Sequence, residues 1–150
     1  MGTLAFQFEE ITARQLKPEL YELDGISRAA VEAHYKLYEG YVNKRNEILR
    51  KLDGIDLASA NQVYSEIRGL KVELSFAVGG IKNHEIYFEH LGGAGGDPDG
   101  LIGQLIALDV YEHAYFLDYQ TDRGSYINAF FDNLDWRTVN DWVSKYQIQK

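Results

Sequence analysis

The chain has 150 residues, 45% apolar and 13% aromatic, enough to bury a core in one domain and too apolar for a disordered segment. Fifteen basic against twenty-three acidic residues leave a net charge of -8, which argues against nucleic acid and anionic membranes as partners. The lack of cysteine excludes disulfides, thiolate metal sites and thiol nucleophiles, and no apolar run approaches the length of a membrane span or a signal peptide, so a cytoplasmic protein is expected.

Residues 1–25, with Pro18 and Gly25 as breakers, read as an irregular entry segment. Ser27 then offers an N-cap, and apolar, aromatic or imidazole side chains at 31, 34, 35, 38, 41, 42, 48, 49 and 52 follow a helical period up to Asp53–Gly54, which ends the helix. A second helical pattern covers 57–91, with Gly69 and Gly79–Gly80 as expected bends or breaks. Together, residues 27–91 are expected to form a hairpin of two antiparallel helices joined by a tight turn.

Residues 92–100, GGAGGDPDG, lack the lysine and spacing of a phosphate-binding loop and read as a helix C-cap and connector. Residues 101–147 read as short helices. Nothing alternates in the manner of a strand, and no repeat is present. The expected fold class is all-α, one helical domain over residues 1–150.

The chemistry to weigh lies in four histidines, His34, His84, His90 and His113, and in Asp109. Any one histidine on a helix is more often a packed or surface residue than a ligand. Asp109 and His113 stand four residues apart in an otherwise apolar run, a spacing that lets both share one helical face. A carboxylate buried there costs several kcal/mol without a compensating cation, which a metal ion would supply. Imidazole and carboxylate together suit iron or manganese. The same spacing also allows a plainer arrangement, in which Asp109 caps the helix that carries His113. A di-iron carboxylate bundle would need Glu-x-x-His pairs, which the helices lack.

Three stretches carry a resemblance that covers most of residues 27–142: EAHYKLYEGYVNKRNEI, GGIKNHEIYFEHLGG and LDVYEHAYFLDYQTDRGSYINAFFDNLDWRTVN. They resemble the two ligand helices and the C-terminal signature of the iron and manganese superoxide dismutases. The resemblance implies His34, His84, Asp109 and His113 as ligands of one iron or manganese ion per chain. It implies superoxide as substrate, converted to dioxygen and hydrogen peroxide as the metal alternates between trivalent and divalent states. Tyr41 matches the tyrosine beside the substrate channel, Tyr38 falls among the surrounding hydrogen-bonding positions, and Glu112 matches the glutamate that bridges to the partner's ligand histidine in a homodimer.

The chain also departs from that pattern. His34 and Tyr41 are seven residues apart, where the family usually has eight. Gly80 stands where iron-type members have a glutamine, Phe116 replaces a tyrosine, and Tyr111 replaces a tryptophan. The segment that normally carries a three-stranded antiparallel sheet is missing, leaving Gln104 without a positional match and Asp109 expected within or at the start of a helix. Loss of the sheet would expose apolar helix faces and favour a dimer or higher oligomer. Lys36, Arg45 or Lys82 are the cations near the ligand helices that can steer an anion. Two readings follow: a compact superoxide dismutase of low or altered activity, or a non-catalytic helical remnant that binds metal idly or not at all.

Overall fold

The structure, a computed structural model, describes residues 8–95 and 106–146. Among these residues the fold is helical: α1 (Arg28–Asp53), α2 (Glu66–His90), α3 (Glu112–Tyr119), α4 (Arg123–Asp132) and α5 (Trp136–Lys145), with 3-10 turns at Pro18–Tyr21 and Leu57–Ser59. The described residues contain no β-strand, only an isolated bridge between Leu91 and Leu134. Ser27 caps α1 as its position predicts, its Oγ accepting from the Ala30 N–H at 3.1 Å, and the helix ends at Asp53.

The second helix starts later than its periodicity predicts. Residues 57–65 satisfy their backbone locally instead: the Asp56 carboxylate accepts from Ala58 N–H and the Asn61 side chain from Val63 N–H. Such side-chain bonds compete with helix formation. Val63 and Tyr64, which fit the helical pattern, are left almost fully exposed. The connection is therefore a long link with one 3-10 turn, not a tight turn, and α2 runs unbroken through Gly69, Gly79 and Gly80.

The chain clusters into two compact units, one of Met1–Ala13 with Leu37–Lys82 and the other of Arg14–Lys36 with Asn83–Lys150. In the first, Tyr38, Val42, Ile48, Leu49, Ala77 and Ile81 are buried. Asn46 clamps the entry segment, accepting from Ile11 N–H at 3.2 Å and donating to Ile11 O at 2.8 Å. Arg45 donates to Glu9 O at 2.6 Å, so this cation serves as a structural tie. The Tyr41 ring lies flat over Gly80, where a Cβ would come within 2.7 Å of it.

The second unit holds the larger core, including Leu20, Val31, Tyr87, Phe88, Leu91, Tyr115, Tyr126, Phe130, Leu134 and Val139. Buried Asn133 ties the C-terminus of α4 to the entry segment, accepting from Asp24 N–H at 2.9 Å and donating to Asp24 O at 2.6 Å. The part of the Gly-rich connector that is described packs against the corner between α4 and α5. Gly92 and Gly93 N–H donate to Asn133 O, and a Cβ on Gly93 would fall 2.3 Å from the Asp135 Cα. Only glycine permits that approach. Residues 96–100 of the connector, and Gln104, lie outside the described residues.

Candidate metal centre

Four side chains of the second unit converge. His34 comes from α1, where burial of Ala30, Val31 and His34 marks the inward stripe, and it is 1% exposed. His84 comes from α2, 5% exposed, with buried Tyr87 and Phe88 three and four residues on, along the same helical face. His113 is the second residue of α3, its side chain 34% exposed and stacked on the Tyr111 ring at 5.9 Å. Tyr87 and Phe88 wall the His34 ring at 4.7 and 5.1 Å, which keeps water from that side.

Asp109 is placed differently from the expectation. It lies in no helix: residues 106–110 have no regular structure, and the N-cap of α3 is Tyr111. The Asp109 Oδ1 accepts from the Tyr111 N–H at 3.0 Å, which turns the chain into α3 and leaves Oδ2 for the histidines. His34 Nε2 lies 3.2 Å and His113 Nε2 3.1 Å from that single oxygen. The spacing of four thus brings Asp109 and His113 together through a turn before the helix, not along a helical face.

The ring centroids of His34 lie 4.9 Å from His84 and 5.1 Å from His113, and one ligand atom from each of the four residues lies within 4.8 Å of all the others. Donors about 2 Å from a shared ion stand up to about 4 Å apart, so a small inward movement closes this set on one cation. Among the described residues it is the one group of three or more His, Asp or Glu side chains able to do so. Three imidazole nitrogens and one carboxylate oxygen form a mixed donor set that fits a divalent or trivalent first-row metal.

Protonation favours binding as well. Burial pushes the His34 imidazole down, and the hydrogen bond and charge of Asp109 offset this only in part, so His34 is neutral at pH 7. Burial acts to raise the Asp109 carboxyl, but hydrogen bonds from His34 and the Tyr111 backbone outweigh it and hold the group well below the usual carboxylate range. Neutral imidazole and ionised carboxylate are the forms that ligate metal.

The other residues singled out in the sequence have their own local surroundings. Tyr38 is buried and Tyr41 half-buried, both on the stretch of α1 that belongs to the first unit. Glu112 sits exposed in the first turn of α3. Phe116 is 50% and Tyr111 70% exposed. One feature escaped the sequence altogether: the Tyr126 hydroxyl donates to the Asp109 carbonyl at 2.8 Å. Nothing in the pattern GSYINAFF signals such a contact across seventeen residues.

Comparison with known proteins identifies relatives of the chain. Residues 15–92 match the family described as iron/manganese superoxide dismutases, alpha-hairpin domain, and residues 96–142 match iron/manganese superoxide dismutases, C-terminal domain. The superoxide dismutase [Fe] of Aquifex aeolicus is 34% identical over 192 positions, covering 87% of this chain and 89% of its own length. That of Aquifex pyrophilus gives the same identity and coverage, and that of Saccharolobus solfataricus is 24% identical over 210 positions, covering 96% of this chain. The Aquifex alignments run over more positions than the 150 residues present here, so a stretch of those relatives has no counterpart in this chain. With matches spanning both halves of the sequence, the chain belongs to the iron/manganese superoxide dismutase family.

Proposed function

We propose that this protein disproportionates superoxide, two molecules of superoxide and two protons giving one dioxygen and one hydrogen peroxide, at a single iron or manganese ion held by His34, His84, Asp109 and His113. The observation that carries the reading is the convergence of these four donors, from three separate stretches of the chain, within 4.8 Å. When bound, the ion supplies the one-electron chemistry by cycling between two oxidation states.

The chain's own residues set the conditions. His34 and His84 are buried donors that hold a dry side to the site, and burial favours the neutral form of His34. The ionised Asp109 offsets one positive charge where water is excluded. His113 is the exposed ligand, and a small anion reaches the centre from its side. By the resemblance alone, Tyr41 and Tyr38 contribute hydroxyls to proton supply and Glu112 bridges two copies of the chain in a homodimer. None of the described helices is long and apolar enough to cross a membrane, which accords with a cytoplasmic enzyme.

The stretch missing relative to the Aquifex enzymes favours a second reading, an inert remnant that binds metal without turnover. One experiment separates the two. Protein grown in defined iron or manganese is analysed for metal, and the same sample is assayed for dismutation beside His84→Ala. Metal near one ion per chain with a rate well above that of the free ion, both lost in His84→Ala, supports the enzyme. Bound metal with no such rate supports the remnant.

A further inference from the structure

Of the four proposed ligands, only Asp109 lies outside a helix, and no strand is present among the described residues to hold it. Something else must hold its backbone. The Tyr126 hydroxyl donates to the Asp109 carbonyl at 2.8 Å, and a phenol has a single proton to give. The 3.1 Å contact between the Tyr126 and Tyr87 hydroxyls therefore runs from Tyr87 to Tyr126. Tyr126 is 0% and Tyr87 3% exposed, so neither hydroxyl trades its partner for water. The Tyr126 ring is stacked on Tyr115 at 5.2 Å, and the Tyr87 ring lies 4.7 Å from His34.

We propose that Tyr126, with Tyr87 donating to it, is the positioning residue that fixes the Asp109 carboxylate against His34 and His113 in place of a strand. The proposal rests on the reading of Asp109 as a metal ligand. Pinning the carbonyl sets the peptide, the Tyr111 N–H takes Oδ1, and Oδ2 is left aimed between the two imidazoles. The arrangement links α4 through the loop to α1 and α3, and through Tyr87 to α2, so four helices, three of them carrying ligands, share one hydrogen-bonded chain.

The test is titration of Co(II) into the metal-stripped full-length protein, read by visible absorption, with thermal unfolding measured on each metal-free sample. Tyr126→Phe keeps the ring and removes the proton. It is expected to weaken Co(II) binding about 10- to 100-fold and to alter the absorption bands, as loss of a group that orients a ligand does. Tyr87→Phe should give a smaller change in the same direction. Val139→Ala, a buried position outside this cluster, should lower the Tm while leaving affinity and spectrum unchanged. A Tyr126→Phe protein that loses Tm but titrates like the parent, as Val139→Ala does, overturns the positioning role. If Tyr126→Phe fails to fold, parental affinity and spectrum in Tyr87→Phe overturn it. Asp109→Ala is run alongside: parental titration by that variant removes Asp109 as a ligand, and this proposal falls with it.

Discussion

Helix α2 carries two buried histidines six residues apart, His84 and His90, and their surroundings divide them. At His84 two other stretches of the chain deliver His34, Asp109 and His113, one ligand atom of each within 4.8 Å of the others. At His90, which is 0% exposed, both ring nitrogens lack a hydrogen-bond partner, and the ring meets the edge of Trp142 at 4.8 Å. Its charged neighbours are Lys17, which donates to Glu89 O and Leu91 O, and Asp135 at the N-cap of α5. The contrast shows that burial of an imidazole does not define a site. A carboxylate and further imidazoles arriving from elsewhere in the sequence do so; without them the same residue on the same helix is packing.

The strongest way to break this comparison is to remove ligands on one side and the ring chemistry on the other. Asp109→Ala and His84→Ala are expected to lose bound iron or manganese outright, a loss of affinity greater than the 10- to 100-fold typical of groups that only orient ligands. His90→Phe should keep the parent's metal content. Elemental analysis of the three proteins, grown in the same metal, decides it. Retention of metal by His84→Ala would erase the distinction between the two histidines.

The next effect is steric and belongs to the His90 side. Gly93→Ala forces a Cβ to within 2.3 Å of the Asp135 Cα, so either the connector or the start of α5 must move. The expected loss is about 1–3 kcal/mol or more, by denaturant unfolding, with the metal set unaffected. Removing the metal acts on the other side. If the ion binds folded protein only, free ion at 100 times Kd stabilises by about 2.7 kcal/mol, so a chelator should lower the Tm of the parent by several degrees and that of Asp109→Ala hardly at all.

How much of this was visible in the sequence varies with the physics of each element. Helix α1 was legible from end to end, because a serine cap, a regular apolar stripe and Asp53–Gly54 all agree. The start of α2 was not, since Asp56 and Asn61 satisfy the backbone locally and an apolar period cannot report that. Glycines at 69, 79 and 80 suggested breaks, yet none is required to leave helical geometry, and Gly80 instead makes room for the Tyr41 ring. At the site, spacing alone drew attention only to Asp109 and His113, and allowed either a shared helical face or Asp109 as the cap, whereas Asp109 precedes the helix and Tyr111 is its N-cap. Adding His34 and His84 required the family resemblance. The Tyr126 contact depends on how α4 lies against an irregular segment, which no local pattern encodes.

The smallest predicted effect sharpens the comparison most, because it asks whether His90 is simply an apolar filler. Burial, reinforced by the Lys17 cation and only partly offset by Asp135, pushes its imidazole down to about 4. In the unfolded chain the group titrates near 6.5. Between these values the unfolded state holds the extra proton, so the contribution of His90 to stability is complete above pH 6.5, falls as the pH drops, and levels off below 4. The steepest slope this residue can add is about 1.4 kcal/mol per pH unit. His90→Phe keeps an aromatic ring against Trp142 and removes two buried nitrogens without partners. It should therefore raise stability by about 1 kcal/mol at pH 7.5 and flatten the decline between 6.5 and 4. Urea unfolding of parent and variant across that range measures both quantities. An unchanged slope would mean that His90 already finds a proton acceptor in the folded protein, and a drop in metal content would mean that it serves the same ion as His84; either result dissolves the difference between the two histidines.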